Sequence, residues 1–346
     1  LDAEGDDLMQ NPLEMRGLAF IEFASPRPDE LDRLFTALGF SRTHRHKARA
    51  LDAYRQGKAW FLVDLERASF AQRFMSEHGP CVSSVGIAFE DPRAAFEGAL
   101  RRGAVAFDGR GSTSFDAPAI YGIGESLVYF VDAKASFERE LDRLATPRLV
   151  PDKGFLRVDH LTNNVPQGEL GKWSDFYKNI FGFVEVRSFD IEGAKSGLFS
   201  YALRSPCGTF SIPINEDKGQ RGQIAEYLRE YRGSGVQHIA LLTQDILSSV
   251  EAVGSAVDML DIDADYYEEA FARVPGVRED RARIQKNRVL LDGDAEGYLL
   301  QIFTKNVIGP IFFEIIQREN HHSFGEGNFS ALFRSIERDQ EKRGVL

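Results

Sequence analysis

Two of the seven histidines stand at corresponding places along the chain. His160 lies in "FLRVDHLTNNV" (155–165) and His238 in "GVQHIALLT" (235–243), each near the start of an apolar, strand-like run, 78 residues apart. A third candidate is Glu314 in "PIFFEIIQR" (310–318). Period-two alternation puts Phe312, Glu314 and Ile316 on one strand face, where a carboxylate is costly unless a cation or proton donor meets it. Two imidazoles and one carboxylate on neighbouring strands would form a facial triad. That donor set suits Fe(II) and leaves three adjacent positions for substrate and O2. Each residue also has a plainer reading. A lone strand histidine is more often a hydrogen-bonded core residue than a ligand, and Glu314 alone could pair with a buried arginine. The matching places of the two histidines favour the joint reading.

The remaining histidines and the cysteines offer less. His44 and His46 fall in the basic run "RTHRHKAR" (42–49), read as a solvated surface or loop, and His78 precedes a Gly-Pro turn. His321 and His322 are adjacent, so in a strand they point opposite ways and cannot chelate together. Cys81 and Cys207 form no CxxC pair and no disulfide framework, which suits a reducing cytoplasm.

The elements that must carry these residues repeat. Short alternating segments, "LAFIEFAS" (18–25), "WFLVDL" (60–65), "LVYFVD" (127–132), "FVEVRSF" (183–189) and "YLLQIFT" (298–304), read as half-buried strands. Amphipathic helices are expected over 29–38, 91–102, 171–180 and 245–256, with a C-terminal helix over 328–343. "ELDRLFTALGF" (30–40) resembles "KWSDFYKNIFGF" (172–183), each closing on a glycine, Gly39 or Gly182, that suits a helix C-terminus. "SVGIAFEDPRAAFEGALRRGA" (84–104) likewise resembles "GVQHIALLTQDILSSVEAVGSA" (235–256). Four strand–helix modules therefore start near residues 18, 86, 159 and 238, and pair first with second and third with fourth. In the first two modules Phe20 and Gly86 take the histidine places, and neither binds metal. The stretch "ATPRLVPDKG" (145–154) marks the boundary between a scaffold and assembly domain, 1–150, and a site-bearing domain, 151–346.

Composition excludes some partners. Lys+Arg 42 against Asp+Glu 53 gives a formal charge of -11, which argues against nucleic acid or an anionic membrane surface. The apolar runs are too short to span a bilayer, and the acidic start "LDAEGDDLMQNP" is not a signal peptide.

The motifs "VDHLTNNV", "PINE" (213–216), "GVQHIAL", "LLQIFTK" (299–305), "FFEIIQR" and "SFGEGNF" (323–329) cover most of 155–334. In that order they resemble 4-hydroxyphenylpyruvate dioxygenase, within the vicinal oxygen chelate superfamily. The first half resembles it more loosely, through "FIEFASP" (20–26) and the module repeat. The resemblance implies an α+β fold of two domains, each a pair of βαβββ modules forming an open half-barrel mixed sheet, plus a C-terminal helix. It implies one Fe(II) per chain on His160, His238 and Glu314, with O2 as co-substrate. Ser205, Asn215, Gln223, Gln237 and Gln301 would line the pocket and hold the keto acid or the phenol hydroxyl. Phe312, Phe324 and Phe329 would pack around the ring, with Asn328 on the closing C-terminal segment. The implied reaction converts 4-hydroxyphenylpyruvate to homogentisate and CO2 in tyrosine and phenylalanine catabolism, in a cytoplasmic homo-oligomer, tetramer or dimer. The nearest alternative is 4-hydroxymandelate synthase, which hydroxylates the benzylic carbon of the same keto acid. A catechol-cleaving extradiol dioxygenase and a metal-free binding module of the same fold are further alternatives. The latter predicts no ligands at the module starts.

Overall fold

Alternating apolar segments form sixteen strands among the described residues of the computed structural model, which are 10–109, 111–134, 137–192, 197–219 and 222–344. Residues 1–9 of the acidic start lie outside them. The first eight strands are β1 (Met15–Ala24), β2 (Ser41–His46), β3 (Leu51–Gln56), β4 (Ala59–Asp64), β5 (Cys81–Phe89), β6 (Ala119–Tyr121), β7 (Leu127–Asp132) and β8 (Leu141–Arg148). They make one mixed sheet in the order β6-β7-β5-β1-β4-β3-β2-β8. The second eight are β9 (Phe155–Val165), β10 (Val184–Glu192), β11 (Gly197–Arg204), β12 (Ser211–Asp217), β13 (Gly235–Thr243), β14 (Leu290–Gly293), β15 (Tyr298–Phe303) and β16 (Phe312–Glu319). Their order is β10-β11-β12-β9-β13-β16-β15-β14. The two orders correspond. In each sheet a central antiparallel pair, β1 with β5 or β9 with β13, is flanked by parallel partners. This is the α+β arrangement of paired modules in two eight-stranded mixed sheets.

Helices fill the connections: α1 (Pro28–Ala37), α2 (Phe70–His78), α3 (Pro92–Arg101), α4 (Leu170–Phe176), α5 (Gln223–Tyr231), α6 (Ile246–Val253), α7 (Tyr266–Arg273), α8 (Arg281–Lys286) and α9 (Phe329–Lys342). The repeat is visible in their caps. Asp91 accepts from the Ala94 amide ahead of α3, and Asp245 from the Ser248 amide ahead of α6, each satisfying a donor the helix leaves free. Gly182, with φ 80°, closes the α4 segment. No described helix is long and apolar enough to cross a membrane.

Register corrects one sequence expectation. Phe20 pairs with Gly86, and His160 pairs with Ala240; Glu22 pairs with Ser84, and Thr162 with His238. The residue matching His238 is therefore Ser84, not Gly86. Tyr129, opposite Gly86 on β7, matches Glu314, opposite Ala240 on β16. Gly86 answers a packing need instead, since a Cβ there would lie 2.3 Å from the Phe20 ring. A second correction concerns "RTHRHKAR". Residues 41–46 form β2, and His46 is buried, its Nε2 lying 3.2 Å from Glu140 and its ring against Phe115. Sheet pairing with β3 and β8 overrides the polar composition of that run.

One continuous apolar cluster spans both sheets. Phe61 of β4 meets Phe313 of β16, ring centroids 5.9 Å apart. Gln56 Oε1 accepts from the Lys153 and Phe155 amides at 2.7 and 3.3 Å, which ties the connection between the sheets to β3.

Candidate metal centre and pocket

His160, His238 and Glu314 reach one point because β9, β13 and β16 are adjacent in the second sheet. Register fixes the convergence: Ala240 of β13 lies opposite both His160 and Glu314, and His238 is two residues away on the same strand face. The three side chains are 2%, 12% and 4% exposed. His160 Nε2 lies 3.1 Å from Glu314 Oε2 and 3.3 Å from His238 Nε2, and the latter lies 3.4 Å from Glu314 Oε2. Donors about 2.1 Å from one ion and at right angles to each other stand roughly 3 Å apart. The set fits a divalent cation bound on one face. Among the described residues it is the one group of three such donors close enough to hold a metal.

Neighbours orient each imidazole. His160 Nδ1 lies 2.8 Å from Asp159 Oδ2, and His238 Nδ1 lies 3.0 Å from Gln237 Oε1. Each Nδ1–H donates outward, so Nε2 is the nitrogen that faces the centre and would offer its lone pair once deprotonated. Burial disfavours a charge on His160, but the Glu314 and Asp159 carboxylates outweigh it and raise the imidazole to about 9. Burial lowers His238 and keeps it neutral, against the pull of Glu314. Burial also opposes ionisation of Glu314, but the two histidines hold it down at about 2. Asp159 is likewise held well below the usual carboxylate range: burial opposes its charge, but Arg318 and His160 prevail.

Above the centre is a pocket with apolar walls. Asn215, Gln223, Gln237, Gln301, Phe312, Phe324 and Phe329 all line it, together with the three donors. The amides are poised rather than spent. Asn215 Nδ2 donates to Gln237 Oε1 at 3.4 Å and to Asn164 Oδ1 at 3.3 Å. Gln301 is 1% exposed, and neither its Nε2 nor its Oε1 has a hydrogen-bond partner among the described residues. A buried amide with both ends unpaired is costly, so this one fits a ligand-binding role. Gly325, with φ 78°, lies against it, and a Cβ there would come within 2.4 Å of Gln301 Nε2. A left-handed glycine therefore leaves the amide its space.

Two expected residues stand elsewhere. Ser205 lies one residue past the end of β11, where its Oγ accepts from the Phe210 amide at 3.3 Å inside the β11–β12 turn. The serine that lines the pocket is Ser200, directly opposite Asn215 in the β11–β12 register. Counting strand phase back from Asn215 would have selected it. Asn328 is fully buried but absent from the pocket wall. Its Oδ1 accepts from Tyr266 Oη at 2.6 Å and from Arg273 at 3.3 Å, fastening the start of α9 to α7. Sequence reasoning also missed Thr162, whose Oγ1 lies 3.0 Å from His238 Nε2, and the apolar wall that α9 adds through Leu332, Phe333 and Ile336.

Comparison with known proteins places this geometry. Residues 9–140 match the family described as hydroxyphenylpyruvate dioxygenase, N-terminal. Residues 157–271 match the glyoxalase/bleomycin resistance protein/dioxygenase superfamily. The chain is 52% identical to protein MelA of Shewanella colwelliana, over 97% of this chain and 99% of that one. It is 42% identical to 4-hydroxyphenylpyruvate dioxygenase of Legionella pneumophila, over 97% and 98% of the two chains. A solved variant of 4-hydroxymandelate synthase from Streptomyces coelicolor superposes with a TM-score of 0.81 at 27% identity, covering 94% of this chain and 99% of that one. The fold is the vicinal oxygen chelate fold, and the protein is an enzyme of the dioxygenase class. With relatives matched along nearly their whole length and a His-His-Glu cluster at the centre of its second sheet, the chain belongs to the 4-hydroxyphenylpyruvate dioxygenase family.

Proposed function

We propose that this enzyme converts 4-hydroxyphenylpyruvate and O2 to homogentisate and CO2 at an Fe(II) ion held by His160, His238 and Glu314. The observation that carries this reading is the convergence of three donors, two buried and one half-buried, at the base of a Phe-walled pocket that holds an unpaired amide, Gln301. Fe(II) in that position would supply a chelation point for the carboxylate and ketone oxygens of the keto acid and the activation of O2. The chain's own residues do the rest. Asn215, Gln237 and Gln301 orient polar groups of the substrate by hydrogen bonds without competing for the metal. Phe312, Phe324 and Phe329 grip the aromatic ring and keep water out. Asp159 and Gln237 hold each imidazole with Nε2 facing inward. In this reading 1–150 serves as scaffold and 151–346 carries the chemistry.

The test is anaerobic reconstitution of the metal-free protein with Fe(II), then addition of O2 and the keto acid, with chromatography of the product. Homogentisate with one CO2 per O2 is expected. 4-Hydroxymandelate would assign benzylic hydroxylation instead, and turnover of catechol alone would overturn the keto-acid assignment.

A further inference from the structure

Arg318, at the end of β16, is neither one of the three donors nor a lining residue of the pocket, yet it joins two parts of the molecule. On one side its Nε and Nη2 grip Asp159 Oδ1 and Oδ2 at 3.0 and 2.8 Å, a two-pronged ion pair. The same Oδ2 accepts from His160 Nδ1 at 2.8 Å. On the other side Arg318 Nη1 donates to the carbonyls of His321 and Ser323 at 3.2 and 2.6 Å. Those carbonyls belong to the turn that leads into α9. The turn returns to the centre by a second route: the Phe324 ring lies 5.4 Å from the His160 ring and 5.6 Å from the Arg318 guanidinium carbon. The planar fork of arginine meets both partners at once, which a lysine ammonium cannot do with the same geometry.

We propose that Arg318 is a positioning residue that couples docking of the C-terminal segment, 321–334, to occupancy of the metal centre through Asp159 and His160. The proposal rests on the metal-centre reading above. A metal ion pulling on His160 Nε2 fixes the ring, the ring fixes Asp159, and Asp159 holds the arginine whose remaining N–H groups hold the turn. Linkage makes the effect reciprocal: a docked segment strengthens metal binding by the factor by which metal strengthens docking. Partners behind a metal-bound imidazole typically control affinity by about ten- to a hundred-fold.

The experiment uses the full chain with Co(II) alone as the probe, without keto acid or turnover. Calorimetry follows Co(II) binding, and amide hydrogen exchange follows residues 321–334 with and without saturating Co(II). In the unaltered protein, Co(II) should slow exchange in this segment several-fold. In Arg318→Gln, Co(II) should still bind but the slowing should vanish, while exchange in the first sheet stays unchanged. Arg318→Lys, which keeps the charge and loses the fork, should behave likewise, and it carries the test if the glutamine variant does not fold. Asp159→Asn should lose the slowing and also weaken Co(II) binding by about ten- to a hundred-fold. A merely structural ion pair would raise exchange equally with and without Co(II), and that result, or undiminished slowing in both Arg318 variants, overturns the proposal. An unaltered protein that binds Co(II) with no change in exchange sinks the coupling alone. One that binds no Co(II) sinks the metal centre as well.

Discussion

At the scale of single residues, the centre combines three groups with different proton demands. In the metal-free protein His160 is held at about 9, so at neutral pH it carries a proton that a metal ion must displace. Glu314 is already ionised, held at about 2, and His238 is pushed towards its neutral form. Metal uptake near pH 7 should therefore release about one proton, and affinity should rise about tenfold per pH unit up to about pH 9. Calorimetry in buffers of different ionisation enthalpy checks this, and a pH-independent affinity would contradict it. Phe329 makes the opposite kind of contribution. It packs edge-on to Phe189 at 5.3 Å and touches none of the three donors. Under the proposed reaction, Phe329→Ala should leave metal loading intact while product yield falls roughly ten- to a hundred-fold through misplacement of the substrate ring; an unchanged yield would make it ordinary packing. The three donors were legible in the sequence because the two histidines hold corresponding places in the repeat and Glu314 is a carboxylate on an apolar strand face. Ser200 was not, because Ser205 follows it closely at the head of the β11–β12 turn and only strand phase separates them. Arg318 and Asp159 both sat inside recognised motifs, but their contact crosses 159 residues of sequence and depends on sheet order.

At the scale of elements, α9 is the wall that sequence periodicity placed well and contacts explain. Its apolar stripe turns Leu332, Phe333 and Ile336 towards the pocket. Its outer end is tied down by Gln340 and Arg343, which both bond Glu226 of α5. Ser335 Oγ donates to the Asp261 carbonyl at 2.6 Å. Phe333, 3% exposed, packs with Leu198 and Ile224 in a small apolar cluster apart from the main core. Ala331 joins the main core and Leu332 and Ile336 pack against it, yet a terminal helix at the edge of the fold opens more easily than the sheet beneath it. Phe333→Ala, a truncation of the type that costs about 3–5 kcal/mol in a core, should release α9 without unfolding the rest. Amide exchange would then rise across 329–342 and remain slow in β9 and β13; a uniform rise would show that α9 is part of the global folding unit. The 3.6-residue period made α1, α3, α4, α6 and α9 readable, with α4 and α6 ending four and three residues before the expected ends, whereas α2, α5, α7 and α8 were not foreseen. The strand β2 was not readable, because its charged sequence is stabilised by pairing with β3 and with the distant β8.

At the scale of the whole molecule, the first sheet shows what a module pair becomes without the donors. Phe20, Ser84 and Tyr129 hold the matching places, and a buried acid network takes up the space around them. The Ser84 and Ser114 hydroxyls both donate to Glu22, while Ser114 Oγ also lies 3.1 Å from Asp64 Oδ2. One hydroxyl hydrogen cannot serve both acids at once, so the second contact becomes a hydrogen bond only when one of the acids carries a proton. Burial first, and then the Asp64 charge, push Glu22 up to about 7. The sign follows from linkage. The folded protein binds a proton that the unfolded chain has lost above about pH 4.5, so stability falls as pH rises from there to about 7 and then levels off. The loss is on the order of 3 kcal/mol. Glu22→Gln should flatten that part of the denaturation profile of the metal-free protein and be the more stable form at pH 8; identical profiles would show that Glu22 ionises freely. The duplication behind this comparison was visible in the sequence, while the acid network was not, since Glu22, Asp64 and Ser114 meet only through the order of strands. The spread of the donors has a consequence for how the chain acquires its structure. From His160 to Glu314 is 154 residues, and the parallel β13–β16 pair that brings them together is among the slowest contacts a chain makes. A metal ion therefore arrives at a finished scaffold rather than seeding one, and its binding should lengthen the lifetime of the native chain without hastening its formation.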